Sequence, residues 1–218
     1  MRLAISRIHY PVTTLGPGRR LGIWFQGCSI RCPGCISADT WRVTPATVTA
    51  QELVDSLHPW LSECDGVTIS GGEPFDQLPS LTTLLKEIHK RHETNVLVFS
   101  GHPYETLLES EPAWGGLIDA LVSDPFVEAV AQTKSLRGSD NQRLHCLTPT
   151  GHALFSCYDR SITEADKRLD IMFAEDGTVW LAGIPTRGGM AKFRELLREE
   201  GHLAQMTEAP ISLCKTPS

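Results

Sequence analysis

Cys28, Cys32 and Cys35 fall close together in the run Cys28-Ser29-Ile30-Arg31-Cys32-Pro33-Gly34-Cys35. Three thiolates hold three corners of a four-iron cluster and leave the fourth iron open to a substrate or cofactor, so the cluster serves as a reaction centre as well as an electron carrier. A structural zinc site is the rival chemistry. It takes four ligands, usually as two paired knuckles, and no second knuckle is present. The other four of the seven cysteines, Cys64, Cys146, Cys157 and Cys214, are scattered without a motif, and a buried free thiol behaves as a small hydrophobe.

A second candidate is Ser70-Gly71-Gly72-Glu73-Pro74. Two glycines let backbone approach a ligand closely, and a carboxylate accepts hydrogen bonds from an ammonium. Taken alone, such a segment is a turn. Ser100 follows the apolar run Val96-Leu97-Val98-Phe99 and is either a strand-end hydroxyl or a loop serine. His102 lies two residues further on and could face the same place. Arg19-Arg20 could meet an acidic partner or a cofactor carboxylate, or could form a solvated turn.

These groups need elements to position them. Arg20 to Gly27 carries Leu21, Ile23, Trp24 and Phe25 between Gly16-Pro17-Gly18 and the cysteines, and reads as a buried strand. Thr49 with Glu52 has the form of a capping box, and Leu53, Val54, Leu57, Trp60 and Leu61 then recur at helical spacing. Val67 to Ser70 is a short strand ending at the Gly-Gly-Glu-Pro segment, followed by Leu81, Leu84, Leu85 and Ile88 on one helical face. Asn95 to Ser100 and Ala120 to Ser123 are further buried strands, with a short helix over Tyr104 to Glu109 between them. This alternation predicts an α/β fold with a parallel sheet, and chemistry on loops leaving the C-terminal ends of its strands. A complete barrel typically needs about 250 residues. The repeating part stops near residue 145, so the expected fold is an incomplete, laterally open (β/α) barrel over residues 1–148. Beyond Thr148 the texture changes to a small α+β extension over 149–218, with strands 169–173 and 178–182 joined at Glu175-Asp176-Gly177 and a helix carrying Met190, Phe193, Leu196 and Leu197.

With 26 acidic and 20 basic residues, the net charge of −6 gives no electrostatic reason for binding nucleic acid or anionic lipid. No apolar run is long enough for a bilayer, and the first residues lack a signal-peptide pattern. Cysteines grouped as ligands suit a reducing compartment. The expectation is a cytoplasmic protein.

The cysteine spacing after a first strand resembles the radical S-adenosylmethionine superfamily. The resemblance implies a [4Fe-4S] cluster on Cys28, Cys32 and Cys35. It also implies S-adenosylmethionine chelated through its amino and carboxylate groups to the open iron, and one-electron cleavage to methionine and a 5′-deoxyadenosyl radical. It further implies cofactor-binding roles for Gly34, Gly71, Gly72, Glu73 and Ser100. The residue before the third cysteine is aromatic in many members and is Gly34 here, as in the Pro-Gly-Cys of the anaerobic ribonucleotide reductase activating enzymes. Gly16-Pro17-Gly18-Arg19, Trp24-Phe25-Gln26-Gly27-Cys28, Asp39-Thr40-Trp41 and Arg137-Gly138-Ser139-Asp140-Asn141-Gln142-Arg143 are similar to that branch of the glycyl-radical-enzyme activases. The implied reaction is abstraction of a glycine Cα hydrogen from a large glycyl radical enzyme, with flavodoxin or ferredoxin as electron donor. The extension lies outside the resemblance, and Ser123-Asp124-Pro125-Phe126 departs from the family's Asp-Gly-Lys/Pro-Phe. A radical enzyme acting on a peptide or small metabolite is the second reading, and a non-catalytic iron-sulfur protein the third.

Overall fold

Successive side chains of a strand point to opposite faces, and the central strands of this chain are apolar on both. The computed structural model describes residues 1–173, 175, 177–202 and 207. In chain order the strands are β1 (Arg2–Leu3), β2 (Ile5–Val12), β3 (Arg20–Phe25), β4 (Val48–Thr49), β5 (Gly66–Gly71), β6 (Val96–Phe99), β7 (Ala120–Ser123), β8 (Arg143–Cys146), β9 (Asp170–Phe173) and β10 (Val179–Ala182). The helices are α1 (Ala50–Leu61), α2 (Leu78–Arg91), α3 (Tyr104–Leu108), α4 (Glu111–Trp114), α5 (Pro149–Phe155) and α6 (Gly189–Glu199). The main sheet has the order β2-β3-β5-β6-β7-β8. Its four central strands are parallel, as the alternation predicts, while β2 and β8 pair antiparallel at the two edges. Both edge strands are mostly half-buried, which leaves little apolar period in their sequences to read.

One sheet face carries Leu21, Ile23, Phe25, Val67, Ile69, Val96, Val98 and Leu121 against α1 and α2. Helix α1 begins at the expected capping box: Thr49 Oγ1 accepts from the Glu52 N–H at 3.2 Å, and the Glu52 carboxylate accepts from the Thr49 N–H at 2.8 Å. Its Leu53, Val54, Leu57 and Leu61 are buried. Trp60, on the same periodic pattern, is instead 41% exposed and stacks on Tyr10. Leu81, Leu84, Leu85 and Ile88 of α2 are fully buried.

The opposite face is covered by segments C-terminal to the parallel strands. Phe155 from α5 joins Leu97, Ala120, Val122 and Leu136. Ala182, Met172 and Ile184, from the β9–β10 hairpin and just beyond it, pack with Val12, Leu15 and Trp24. Asp170, at the start of β9, accepts from the backbone N–H and hydroxyl of both Thr13 and Thr14 at 2.7–3.1 Å. The hairpin forms with Val179 opposite Phe173; Asp176 of its expected turn, like Cys214, lies outside the described residues. In α6 only Met190 is buried, and Leu196 is 59% exposed, so the expected apolar stripe is largely uncovered by the described residues.

Arg20 corrects the reading of Arg19-Arg20 as a turn or a ligand. Arg20 is fully buried beneath the second face, donating to Thr68 Oγ1 (2.6 Å), the Val67 carbonyl (2.7 Å) and Asn95 Oδ1 (2.8 Å), with its guanidinium over Phe155. Burial lowers its pKa to about 10, so it stays charged at neutral pH, and a buried charge persists only with such a set of acceptors.

Candidate cluster and cofactor site

The cysteine loop leaves the C-terminal end of β3 through a turn that only glycine accommodates without strain: Gly27 has φ +99°. The loop is tied at its start. Gly27 N–H donates to the Thr40 carbonyl (2.7 Å) and Cys28 N–H to the Trp41 carbonyl (3.2 Å), both from the 3-10 helix Ala38–Trp41. Within it Arg31 adopts φ +52° and its N–H points at Cys28 Sγ (3.5 Å), while Cys35 N–H donates to the Cys32 carbonyl (3.1 Å).

All three thiols are half-buried. Burial pushes each above the ordinary thiol range; Glu73 and Asp76 add to this at Cys28, Cys28 and Cys35 add to it at Cys32, and Cys28 and Asp39 at Cys35. Such thiols give up their protons readily only to a metal that supplies compensating positive charge. Trp41 Nε1 is buried with no hydrogen-bond partner and lies towards the Cys35 thiol, a donor suited to a sulfur-rich group. Among the described residues no three His, Cys, Asp or Glu side chains gather about one ion position. Cluster ligands are held further apart than the ligands of a single ion, because each thiolate meets a different iron.

The Gly71-Gly72-Glu73 segment sits beside this loop because β5 is the parallel neighbour of β3, with Gly71 opposite Phe25. Gly72 N–H donates to the Phe25 carbonyl and Glu73 N–H to the Gly27 carbonyl, both at 2.8 Å. A Cβ on Gly72 would lie 1.9 Å from the Gly27 carbonyl oxygen, so no other residue allows this approach. The Glu73 carboxylate turns inward and is 1% exposed. It accepts from Ser100 Oγ (2.8 Å), Gly101 N–H (2.8 Å) and Phe75 N–H (3.0 Å). Burial raises its pKa against these bonds. The structure thus brings Glu73 and Ser100, from the ends of β5 and β6, into one bonded unit. Their oxygens are engaged with each other and with backbone.

Asp76, which belongs to no motif read from the sequence, links the two segments. Its carboxylate accepts from the Ser29 N–H (2.7 Å) and hydroxyl (2.8 Å) and stands 3.4 Å from His102 Nε2. Its place three residues after Glu73 is the one signal that could have found it. Gln77 Nε2 likewise donates to the Gln26 carbonyl at 2.9 Å, and Arg7 bonds Asp39. Asp124 takes φ +80° and accepts from Arg143 Nε at 2.7 Å, and Arg143 also forks onto Glu105. Cys64, Cys146 and Cys157 stand outside this constellation, and none of them joins His or acidic side chains in a metal-binding group among the described residues.

Residues 14–145 match the family described as 4Fe-4S single cluster domain. The anaerobic ribonucleoside-triphosphate reductase-activating proteins of Salmonella typhi and Escherichia coli K12 are each 30% identical over 148 residues, covering 64% of this chain and 96% of theirs. The pyruvate formate-lyase-activating enzyme of Staphylococcus epidermidis is 40% identical over 82 residues, 35% of this chain and 33% of that one. A likeness to the crystal structure of QueE from Escherichia coli is slight, with a TM-score of 0.40 and 19% identity over 46% of this chain and 53% of that one. The chain therefore belongs to the 4Fe-4S single-cluster domain family and, within it, to the radical S-adenosylmethionine activating enzymes, with a [4Fe-4S] cluster and S-adenosylmethionine as cofactors.

Proposed function

We propose that this chain abstracts a Cα hydrogen from one glycine of a glycyl radical enzyme of the anaerobic ribonucleotide reductase type. The observation that carries the reading is the convergence of the cysteine loop after β3 with the Gly71-Gly72-Glu73 turn after β5 and Ser100 after β6, at one end of the parallel strands. Catalytic loops collect at that end of such sheets.

In this reading Cys28, Cys32 and Cys35 hold the cluster and leave one iron for S-adenosylmethionine. Held there, the two groups would supply one-electron radical chemistry able to take hydrogen from an unactivated carbon. Gly71 and Gly72 present bare backbone at which the methionine portion fits. Glu73 and Ser100 act by fixing that backbone, since most acceptor positions of the carboxylate are already used. Asp76 keeps the cysteine loop in register with the glycines through Ser29. The central parallel strands are those of an incomplete barrel over residues 1–148, and 149–218 is an added unit. Flavodoxin or ferredoxin is the electron donor, the compartment is the cytoplasm, and neither nucleic acid nor membrane takes part. No described helix is long and apolar enough to cross a membrane.

One observation favours a second reading. Phe155, Ala182, Met172 and Ile184 lie on the sheet face away from α1 and α2, where they narrow the room for a folded partner and suit a peptide or small metabolite. Anaerobic reconstitution and reduction, followed by chromatography for 5′-deoxyadenosine and methionine, tests the chemistry. Addition of a glycyl radical enzyme and electron paramagnetic resonance for a glycyl radical tests the substrate. Cofactor cleavage without a glycyl signal would transfer the assignment to the second reading.

A further inference from the structure

The extension reaches the cysteine loop at two points: the Thr207 hydroxyl donates to the Ile36 carbonyl at 3.4 Å, and Arg187 meets it through an aromatic ring. Phe126, in the segment after β7, stands against two glycines and shares the first with the Glu128 carboxylate. A Cβ on Gly34, between the second and third cysteines, would lie 3.3 Å from its ring, and a Cβ on Gly138 would lie 2.9 Å from it. The Phe126 backbone N–H lies towards the Cys32 sulfur. On the ring lies the guanidinium of Arg187, which comes after β10, 4.8 Å from the centroid. The same guanidinium donates to the carbonyls of Val127 (3.2 Å) and Val130 (2.6 Å). Gln132 Nε2 closes the connection by donating to the Pro185 carbonyl at 3.0 Å. The cation-π and carbonyl contacts of Arg187 are thus directed at one segment of the chain.

We propose that Arg187 and Phe126 are positioning residues through which the C-terminal extension braces the cysteine loop and tunes the cluster held there. Hydrogen bonds to the sulfurs and exclusion of solvent set the potential of an iron–sulfur cluster, and outer groups that hold its ligands govern how firmly the metal stays. A ring wedged at Gly34, between the second and third cysteines, acts on both by shielding the loop from solvent and holding its shape. A cation stacked on that ring from a separate part of the chain makes the brace depend on the extension being docked. The inference rests on the assignment of Cys32 as a cluster ligand.

The test uses the full-length, anaerobically reconstituted protein with three readouts: iron release to a ferrous chelator, the cluster midpoint potential, and the thermal unfolding midpoint. Arg187→Ala is expected to release iron roughly ten-fold faster and to move the potential to more negative values, with the unfolding midpoint unchanged. Phe126→Ala should exceed it in both cluster readouts, and Arg187→Lys, which keeps the charge but loses the planar fork, should fall between wild type and Arg187→Ala. Arg198→Ala is the control, since Arg198 pairs with Glu195 on α6, away from the loop. Wild-type iron release and potential in Arg187→Ala would overturn the proposal, as would a lowered unfolding midpoint with an unmoved potential. Cys32→Ala separates the two levels. If it retains its iron, the ligand assignment fails; if it loses iron while Arg187→Ala behaves as wild type, only the brace fails.

Discussion

The C-terminal end of the parallel strands and the β9–β10 hairpin are both built from short strands and turns, yet they are held in opposite ways. At the strand ends polar groups go inside and are answered: Glu73 is 1% and Ser100 4% exposed, and their oxygens bond each other, Gly101, His102 and Phe75. In the hairpin apolar groups stay outside, with Phe173 81%, Ile171 48% and Val179 45% exposed. Its hold on the sheet comes from a few anchors, chiefly Asp170 on Thr13 and Thr14 and the side chains of Met172 and Ala182. Arg7, over both Trp24 and Trp180, adds a cationic contact between the two regions. The difference teaches that the site end is over-determined, each group fixing several others, whereas the hairpin is a docked element whose local opening needs few interactions broken.

Substitutions sharpen this contrast, and the largest effect belongs to the site. Cys32→Ala should abolish iron loading, read by iron analysis after reconstitution, whereas Cys157→Ala, at an exposed thiol, should load as wild type. Iron in the first or its loss in the second would break the distinction between the cysteine loop and the rest of the chain. Glu73→Ala strands three buried donors and should cost about 3 kcal/mol in denaturant unfolding of the metal-free protein, together with loss of S-adenosylmethionine binding; a cost below about 1 kcal/mol would show that the inward carboxylate is not what organises the turn. Asp170→Ala removes four accepted hydrogen bonds at the edge of the hairpin. Here we expect about 1–2 kcal/mol and, in hydrogen exchange, faster opening confined to β9 and β10, with β5 and β6 protected as before. Spread of that exchange into β5 would unite the two regions instead of separating them. Phe173→Ser, at the most exposed of these apolar positions, should change stability by no more than about 0.5 kcal/mol, and a larger loss would reveal packing that its exposure does not suggest.

Much of this arrangement is legible in residue order, for reasons that are local. The cysteine spacing lies within one loop. The capping box of α1 is a contact between residues three apart, and the buried faces of α1 and α2 come from helical periodicity. The parallel strands are short runs buried on both faces, so their apolar residues stand out from the turns around them. Edge strands β2 and β8 are not legible in the same way, because half-burial weakens that pattern. Trp60 and Leu196 sit at periodic positions yet are exposed, because periodicity places a residue on a face and cannot say how far the neighbouring element extends over it.

What the sequence by itself determined is the chemistry: three thiols in one loop, a doubled glycine with a carboxylate after the next strand, and helices and strands in alternation. Those depend on spacing along the chain and on the conformations each residue permits. Only the tertiary structure decided that Glu73 faces Ser100 inside the protein, that Asp76 reaches back to Ser29, that Arg20 is sealed beneath Phe155, and that Arg187 lies on the ring beside Gly34. Each of these contacts joins residues far apart in sequence. The sheet register and the docking of the extension bring them together, and neither is encoded in any single local pattern.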